Sequence, residues 1–398
     1  MLSSAARWSA VLAVAALAAG CAHADEEVFI APLVPAAGRI DPGLGPGTRA
    51  YSSGPGFKGS PNWSPGGDRI AFTVDGYVVD RPTGSGDLRR WTTRDFIAED
   101  TEWISDDTLM ILGAAPPSGT DEISSSLYRA RAGEDPLELE RVGKEVSAIS
   151  PGRGGLIFAH ANGPRESRLA LTRGGKIKRH YSRPIGGRVA ALSLSPEGEE
   201  AILAVRPPGD RETSELHVFD LQKGREREIA RLGGNQEILG TPQWTEEGLY
   251  FVAGKSNTPV DRDGSEPIYE IYRVPEEGGA PQPAPGVGED FVAASIRVSP
   301  DGSRMAVVGR LNPKSPTNLY VLDPLAKNLT AVTTNEDMEI KTGPDDLAWS
   351  PGGESVAVIA RGTLSTEPEV RAAPADRLLE DFYNLYEIPV DGLQDAPR

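Results

Sequence analysis

Short apolar strands alternate along most of the chain with turns made of small residues. The clearest turn is Trp63-Ser64-Pro65-Gly66-Gly67, which precedes the apolar run Ile70-Ala71-Phe72. Proline fixes φ early in such a turn, and Gly-Gly or Asp-Gly supplies the positive φ that lets two antiparallel strands reverse direction. The pattern therefore predicts a β-hairpin at this point.

The same pattern recurs along the chain. Clear copies are Ser299-Pro300-Asp301-Gly302 and Ser350-Pro351-Gly352-Gly353, and weaker copies begin at Trp103, Ile149, Leu194 and Trp244. Successive copies lie about 41 to 54 positions apart, close to the period of a four-stranded propeller blade. We predict an all-β fold, a β-propeller of about seven four-stranded blades, with six blades as the alternative.

Two further features support this prediction. The tryptophans of the motif (Trp63, Trp103, Trp244 and Trp349) are expected to pack between blades rather than to stack on a ligand. A second signature follows most of the hairpins, and its alternation predicts the third strand of a blade. Its copies are Ser126-Leu127-Tyr128, Glu215-Leu216-His217, Glu270-Ile271-Tyr272, Asn318-Leu319-Tyr320 and Asn384-Leu385-Tyr386.

The last blade lacks residues for a fourth strand, because little chain remains after Leu385-Tyr386. We predict that the N-terminal segment from Glu27 to Leu33 supplies this strand. Such a closure joins the chain ends and protects the last sheet edge, where a proline is tolerated.

The run from Trp63 to Phe72 and its copies resemble the propeller repeats of TolB-like proteins, which also occur in prolyl-oligopeptidase-type peptidases. The resemblance covers roughly residues 58–392. It implies the fold and leaves function open, because propellers have many unrelated activities. TolB resembles an α/β domain followed by a propeller, and the peptidases carry a separate hydrolase domain. We expect neither extra domain in this chain.

The N-terminus predicts export. Arg7 precedes the apolar run from Ala10 to Ala19, which is too short for a membrane-spanning helix but suits a signal peptide. Leu17-Ala18-Ala19-Gly20-Cys21 resembles a lipobox, so Cys21 is the predicted lipidation site, whereas Ala22-His23-Ala24 fits ordinary signal cleavage. The predicted organisation is residues 1–24 as export signal, 25–57 as an N-terminal segment holding the closing strand, and 58–398 as the propeller.

Composition excludes some classes of function. The 398 residues carry a formal net charge of −17, which opposes nucleic-acid binding, since that requires clustered Lys and Arg. Cys21 is the only cysteine, so no internal disulfide is expected. We expect a monomeric extracytoplasmic protein, either a membrane lipoprotein or a secreted one.

Candidate catalytic and metal-binding residues are few. Gly353-Glu354-Ser355-Val356-Ala357 occupies a repeat position and lacks the last glycine of a nucleophile elbow, so it is interpreted as a hairpin. No two of the four histidines have metal-ligand spacing, which argues against a lyase-type histidine metal site, and His217 is interpreted as a replacement for the repeat tyrosine. No catalytic residue and no cofactor are predicted.

A weak calcium-loop candidate begins at Asp261-Arg262-Asp263-Gly264. Asp261 and Asp263 alternate before a glycine, as in a calcium loop. The twelfth position from Asp261 is Tyr272 instead of glutamate, so a solvated turn is the competing interpretation.

Loop length is the more informative feature for function. The connections at residues 114–125, 255–267 and 361–381 join second to third strands and should leave one face of the propeller, with helical turns within 374–381. We predict a non-catalytic propeller that binds a protein or cell-envelope component through this loop-rich face. The alternative is a carbohydrate-active or hydrolytic enzyme that uses carboxylates at the channel mouth.

Overall fold

The structure is a computed structural model that describes most of the predicted propeller. The described residues are 38–40, 42–52, 56–84, 87–115, 124–134, 139–152, 155–163, 165–209, 213–233, 236–255, 269–336, 340–343, 345–361, 363–365 and 383–390. Outside these ranges lie the signal segment with Cys21, the segment from Glu27 to Leu33, Asp261 and Asp263, residues 374–381, and most of the three long loops.

Seven sheets of antiparallel strands form the blades of the propeller. Before them come β1 (Gly38–Ile40), a 3-10 turn (Pro42–Leu44) and β2 (Arg49–Ala50). Blade 1 contains β3 (Lys58–Trp63), β4 (Arg69–Val74), β5 (Tyr77–Pro82) and β6 (Arg89–Arg90). Blade 2 contains β7 (Ile97–Ser105), β8 (Thr108–Ala114), β9 (Ser126–Arg131) and β10 (Glu140–Gly143). Blade 3 contains β11 (Val146–Gly152), β12 (Gly155–Ala161), β13 (Glu166–Arg173) and β14 (Lys176–His180), with β15 (Ile185–Gly186) beside β13.

The remaining blades repeat this order. Blade 4 contains β16 (Arg188–Leu194), β17 (Glu200–Arg206), β18 (Ser214–Asp220) and β19 (Arg225–Leu232). Blade 5 contains β20 (Gln236–Thr245), β21 (Gly248–Lys255), β22 (Tyr269–Val274) and β23 (Gln282–Pro283). Blade 6 contains β24 (Val292–Val298), β25 (Met305–Arg310), β26 (Asn318–Asp323) and β27 (Asn328–Ala331). Blade 7 contains β28 (Leu347–Trp349), β29 (Ser355–Ala360) and β31 (Asn384–Pro389), while β30 (Thr363–Ser365) pairs with β1. The predicted seven-bladed propeller is confirmed.

The first strands of successive blades contact one another around the ring and surround a central channel. Because strands alternate in direction, all first-to-second turns leave one face, here called the turn face. All second-to-third connections leave the opposite face, here called the loop face. The five predicted third-strand signatures lie in β9, β18, β22, β26 and β31, each the third strand of its blade.

The ring is closed by an N-terminal strand, but not by the predicted segment. β2, which falls within the predicted 25–57 segment, pairs with β31 as the outermost strand of blade 7, with Arg49 opposite Glu387 and Ala50 opposite Tyr386. The segment from Glu27 to Leu33 was therefore the wrong choice for this position. The reason is chain length: residues 51–57 link β2 to the inner strand of blade 1, much as 91–96 link blade 1 to blade 2.

The core lies between the blades. Seven hydrophobic clusters form, one at each junction of neighbouring sheets. The motif tryptophans are buried as predicted, with Trp63 and Trp244 each 8% exposed. Three of them also donate an indole hydrogen bond to the preceding blade: Trp103 to Asn62 O (3.1 Å), Trp244 to Ser193 O (3.4 Å) and Trp349 to Arg297 O (2.7 Å). These bonds join the innermost strands.

The described part of the chain contains no helix with the length and apolar character needed to cross a bilayer.

Candidate functional site

The central channel contains a cavity of about 350 Å³ next to the turn face. Its lining comes from six blades and includes turn residues such as Pro151, Pro196 and Pro300. More than half of the described lining residues are Ser, Gly, Pro, Thr or Val. The ionisable exceptions are Asp100, Glu102, Arg297 and Asp345, which form the group here called the channel cluster.

Glu102 and Asp100 are placed by β7, the innermost strand of blade 2. They are two positions apart, so both side chains lie on the same side of the strand. The Asn62 amide of blade 1 donates to Glu102 Oε2 at 2.7 Å and to the Thr101 carbonyl at 2.6 Å. The Trp103 indole in turn bonds the Asn62 carbonyl. The repeat tryptophan therefore helps to position the group that holds Glu102.

Arg297 and Asp345 come from blades 6 and 7: Arg297 lies near the end of β24, and Asp345 lies just before β28. Arg297 Nη2 lies 3.7 Å from Asp345 Oδ1. The Trp349 indole bonds the Arg297 carbonyl and fixes its backbone. Arg297 is the only basic residue among the described lining residues. Three carboxyl groups therefore share one guanidinium.

The pKa values of the three carboxyl groups reflect this imbalance. Burial raises the pKa of Glu102 to about 7, although Arg297 and Asn62 oppose the shift. Burial, together with repulsion from Asp345 and Glu102, raises the pKa of Asp100 well above its ordinary value. Burial also raises the pKa of Asp345, against the attraction of Arg297. A cation entering the cavity would oppose these shifts by favouring the ionised forms.

A second ionisable group lies in the outer half of blade 4 and is here called the blade 4 cluster: Glu215, His217, Glu226, Glu228 and Arg231. His217 Nε2 lies 2.9 Å from Glu215 Oε2, and Arg231 Nη2 lies 2.6 Å from Glu215 Oε1 and 2.8 Å from Glu228 Oε2. Burial lowers the pKa of His217, but its contacts with Glu226 and Glu215 outweigh this and raise it. Arg231 lowers the pKa of Glu228.

Glu215, His217 and Glu228 form the one set of metal-type donors found among the described residues, with their atoms within 4.8 Å of one another. This set was not predicted from the sequence, because the spacing of His217 was compared only with that of the other histidines. Arg231 already provides a cation to two of these donors, Glu215 and Glu228. The expected replacement of the repeat tyrosine by His217 agrees with its place on a third strand, β18.

Of the other residues singled out in the sequence, Ser355 is described by the structure and does not line the channel cavity. Ser355 of the rejected elbow begins β29 after a hairpin turn, and its hydroxyl donates to Glu387 Oε1 at 2.9 Å. Cys21, Asp261 and Asp263 lie outside the described residues, so lipidation and calcium binding remain predictions. The channel cluster, in contrast, was not predicted by residue, although channel-mouth carboxylates were the basis of the enzyme alternative. It lies towards the turn face, away from the loop face chosen for binding.

No family model matches the sequence, and no curated protein matches it. Solved structures do resemble it. An oligogalacturonate lyase from Vibrio parahaemolyticus is 10% identical with a TM-score of 0.51, covering 90% of this chain and 97% of that one. A puromycin-hydrolyzing peptidase from Mycobacterium tuberculosis is 17% identical with a TM-score of 0.50, covering 85% of this chain and 53% of that one.

TolB from Acinetobacter baumannii is also similar, at 14% identity and a TM-score of 0.41, covering 84% of this chain and 79% of that one. The chain spans about half the length of the peptidase. Likenesses at these identities show the fold alone, although two of these neighbours are enzymes. The chain is a seven-bladed β-propeller.

Proposed function

We propose that this chain is an extracytoplasmic, non-catalytic propeller that binds a protein or cell-envelope component, and that its central cavity receives a positively charged group of that partner. The observation that carries the proposal is the channel cluster, in which Arg297 is the only basic partner of three carboxyl groups. Ionising a buried carboxyl group such as that of Glu102 is costly, and a bound cation offsets that cost.

The size and placement of the cavity support a side chain as the ligand. A volume of about 350 Å³ lies at the lower end of small-molecule sites. The cavity is bordered by the first-to-second turns, so an exposed Arg or Lys can enter from the turn face. The chain's net charge of −17 would attract a basic partner from a distance. Export and lipidation at Cys21 remain part of this proposal, on the sequence grounds given above.

Isothermal titration calorimetry with the peptide Ac-Arg-Arg-NH2 tests the proposal. The citrulline analogue Ac-Cit-Cit-NH2 is the matched neutral ligand, since it keeps the shape and loses the charge. We expect the arginine peptide to bind more tightly at pH 8 than at pH 6, because Glu102 is mostly ionised only above about pH 7. The citrulline peptide should release no heat.

Variants locate the binding. The double variant Glu102→Gln/Asp345→Asn should weaken the arginine peptide at least about tenfold, as expected for two lost charges at short range. The control Glu246→Gln/Asp290→Asn changes the net charge equally at exposed positions and should have little effect. Equal affinity of all three proteins would contradict binding in the channel.

One observation favours a second candidate, a carbohydrate-active or hydrolytic enzyme. Glu102, whose pKa is about 7, lies beside other carboxyl groups in a cavity, an arrangement suited to acid–base catalysis. Mass spectrometry of a peptide mixture and of oligogalacturonides after incubation separates the candidates. Product release that Glu102→Gln abolishes would establish the enzyme, and intact substrates would favour the binder.

A further inference from the structure

A strip of positive charge runs along the outer edge of blade 3. Residues 167–183 contain six Lys or Arg (Arg168, Arg173, Lys176, Lys178, Arg179 and Arg183) and no Asp or Glu, in a chain of net charge −17. Three of the six (Lys176, Lys178 and Arg179) lie in β14, the outermost strand of this blade, and Arg173 ends the neighbouring strand β13. We refer to Arg173, Lys176, Lys178 and Arg183 as the basic strip.

The basic strip is exposed and uncompensated. All four side chains are on the surface, and none of them forms an ion pair with an acid among the described residues. Arg179, by contrast, is held by the Leu221 carbonyl at 2.9 Å and by the Tyr181 ring at 4.6 Å. The strip therefore offers free cationic side chains on a fixed backbone.

Edge protection alone does not explain this strip. Charged residues on an outer strand block unwanted strand pairing, but mixed charges serve that purpose equally well. The outermost strand of blade 4, β19, begins Arg225-Glu226-Arg227-Glu228 and alternates in sign. The outermost strands of blades 5 and 6, β23 and β27, contain no charged residue. Among the described outermost strands, β14 has the most basic residues without an acidic one.

We propose that the basic strip docks the propeller, edge-on, against a bilayer that carries anionic phosphate headgroups. Ile177 is the only apolar residue of β14, and it packs towards the core, so no apolar centre is available for a shaped protein interface. The pairing of β13 with β14 is interrupted at Lys178, which disfavours the addition of a partner strand. A layer of mobile headgroups needs only accessible charge.

The negative charge of the rest of the molecule gives this contact its orientation. With a net charge of −17, the molecule as a whole is repelled by an anionic bilayer, so a local run of uncompensated positive charge such as the edge of blade 3 favours one side in the approach. The attraction falls with ionic strength, because exposed charges are screened beyond about 10 Å at 0.1 M salt.

Co-sedimentation of the full chain with vesicles tests the proposal. Vesicles of phosphatidylcholine alone are compared with vesicles containing an equal amount of phosphatidylglycerol, at low and at physiological salt. The variant Lys176→Gln/Lys178→Gln/Arg183→Gln is compared with the control Lys223→Gln/Lys314→Gln/Lys327→Gln, which lowers the net charge equally at positions on blades 4 and 6. Phosphatidylcholine binding measures any contribution from the N-terminal segment.

We expect the full chain to prefer phosphatidylglycerol, and this preference to weaken with salt. The strip variant should lose at least about tenfold in partitioning, since each Lys or Arg near an anionic surface contributes several-fold. The control and Glu102→Gln should change it by less than about twofold, which separates this surface from the channel. No preference for phosphatidylglycerol, or equal losses in both triple variants, would overturn the proposal. So would strip-dependent binding to polyglutamate without binding to vesicles, because an acidic polypeptide would then be the partner.

Discussion

Glu102 in the channel and Glu215 in blade 4 are similarly buried, at 8% and 5% exposure, but their surroundings differ. Glu215 contacts both His217 and Arg231, so its negative charge is balanced by neighbours on the same two strands. Glu102 has the Asn62 amide and a share of Arg297, and burial raises its pKa to about 7.

This difference in partners indicates which buried carboxylate stabilises the fold and which one is available to a ligand. A buried charge that is paired within the fold contributes to the native structure and leaves little to offer a ligand. A buried charge without a full partner destabilises the fold, and such groups concentrate at functional sites. On this reasoning we assign the blade 4 cluster to the stability of the fold, and we propose the channel cluster as the binding site.

The largest change in stability is expected when Glu215 of the blade 4 cluster is replaced. Glu215→Ala removes the carboxylate shared by His217 and Arg231 and should lower the free energy of unfolding by about 2–4 kcal/mol. Glu228→Ala, at the exposed rim of the same cluster, should cost under about 1 kcal/mol. Urea denaturation measures both. Equal losses in the two variants would show that Glu215 is not the structural centre of the cluster.

In the channel, by contrast, removing a carboxylate is expected to raise the free energy of unfolding. Because the folded pKa of Glu102 lies near 7, above its ordinary value of 4.5, its ionisation lowers stability progressively between these two pH values. Glu102→Gln keeps an acceptor for Asn62 and should raise the free energy of unfolding by about 1–3 kcal/mol at pH 8, with almost no change at pH 4. Urea denaturation at the two pH values checks this. Destabilisation at pH 8 would place Glu102 with the structural carboxylates.

The pH dependence of His217 runs the other way. Its pKa is raised in the folded state, so protonated His217 stabilises the protein fully below about pH 6.5, and this contribution is lost as pH rises through the folded pKa. We expect a contribution of about 1–2 kcal/mol at acid pH. His217→Gln should flatten this part of the stability profile, measured from pH 5.5 to 8.5. An unchanged slope in the variant would contradict the assignment.

A smaller effect should distinguish two tryptophans of the same motif. The Trp349 indole holds the Arg297 carbonyl at 2.7 Å, whereas the buried Trp63 Nε1 has no hydrogen-bond partner among the described residues. Trp349→Phe should therefore cost about 0.5–1.5 kcal/mol more than Trp63→Phe in thermal unfolding. The Trp349 variant should also weaken the arginine peptide, because Arg297 loses its anchor. Equal costs would assign both indoles to packing alone.

The repeat made the fold predictable, because turn chemistry at Ser64-Pro65-Gly66-Gly67 and its copies marks one hairpin per blade. The closing strand was harder to locate. β2 spans only Arg49–Ala50, too short for any periodicity, and its position is determined by the distance it must bridge to β3.

The channel cluster was less visible still. Asp345 is distant in sequence from the neighbouring Asp100 and Glu102, and the chain has 58 acidic residues, so no spacing links the three. A signal was nevertheless present: Asp100 and Glu102 precede Trp103, and Asp345 precedes Trp349, which places them on or beside innermost strands. Only the ring geometry then brings them together around Arg297.

The proposed function requires that the channel carboxyl groups lack a full cationic partner until a ligand provides one. The most direct test follows the Glu102 side-chain carboxyl by ¹³C NMR as a function of pH, with and without Ac-Arg-Arg-NH2. We expect a pKa of about 7 in the free protein and a clear decrease when the peptide is bound. A pKa near the ordinary value in the free protein, or one that the peptide leaves unchanged, would contradict the proposal.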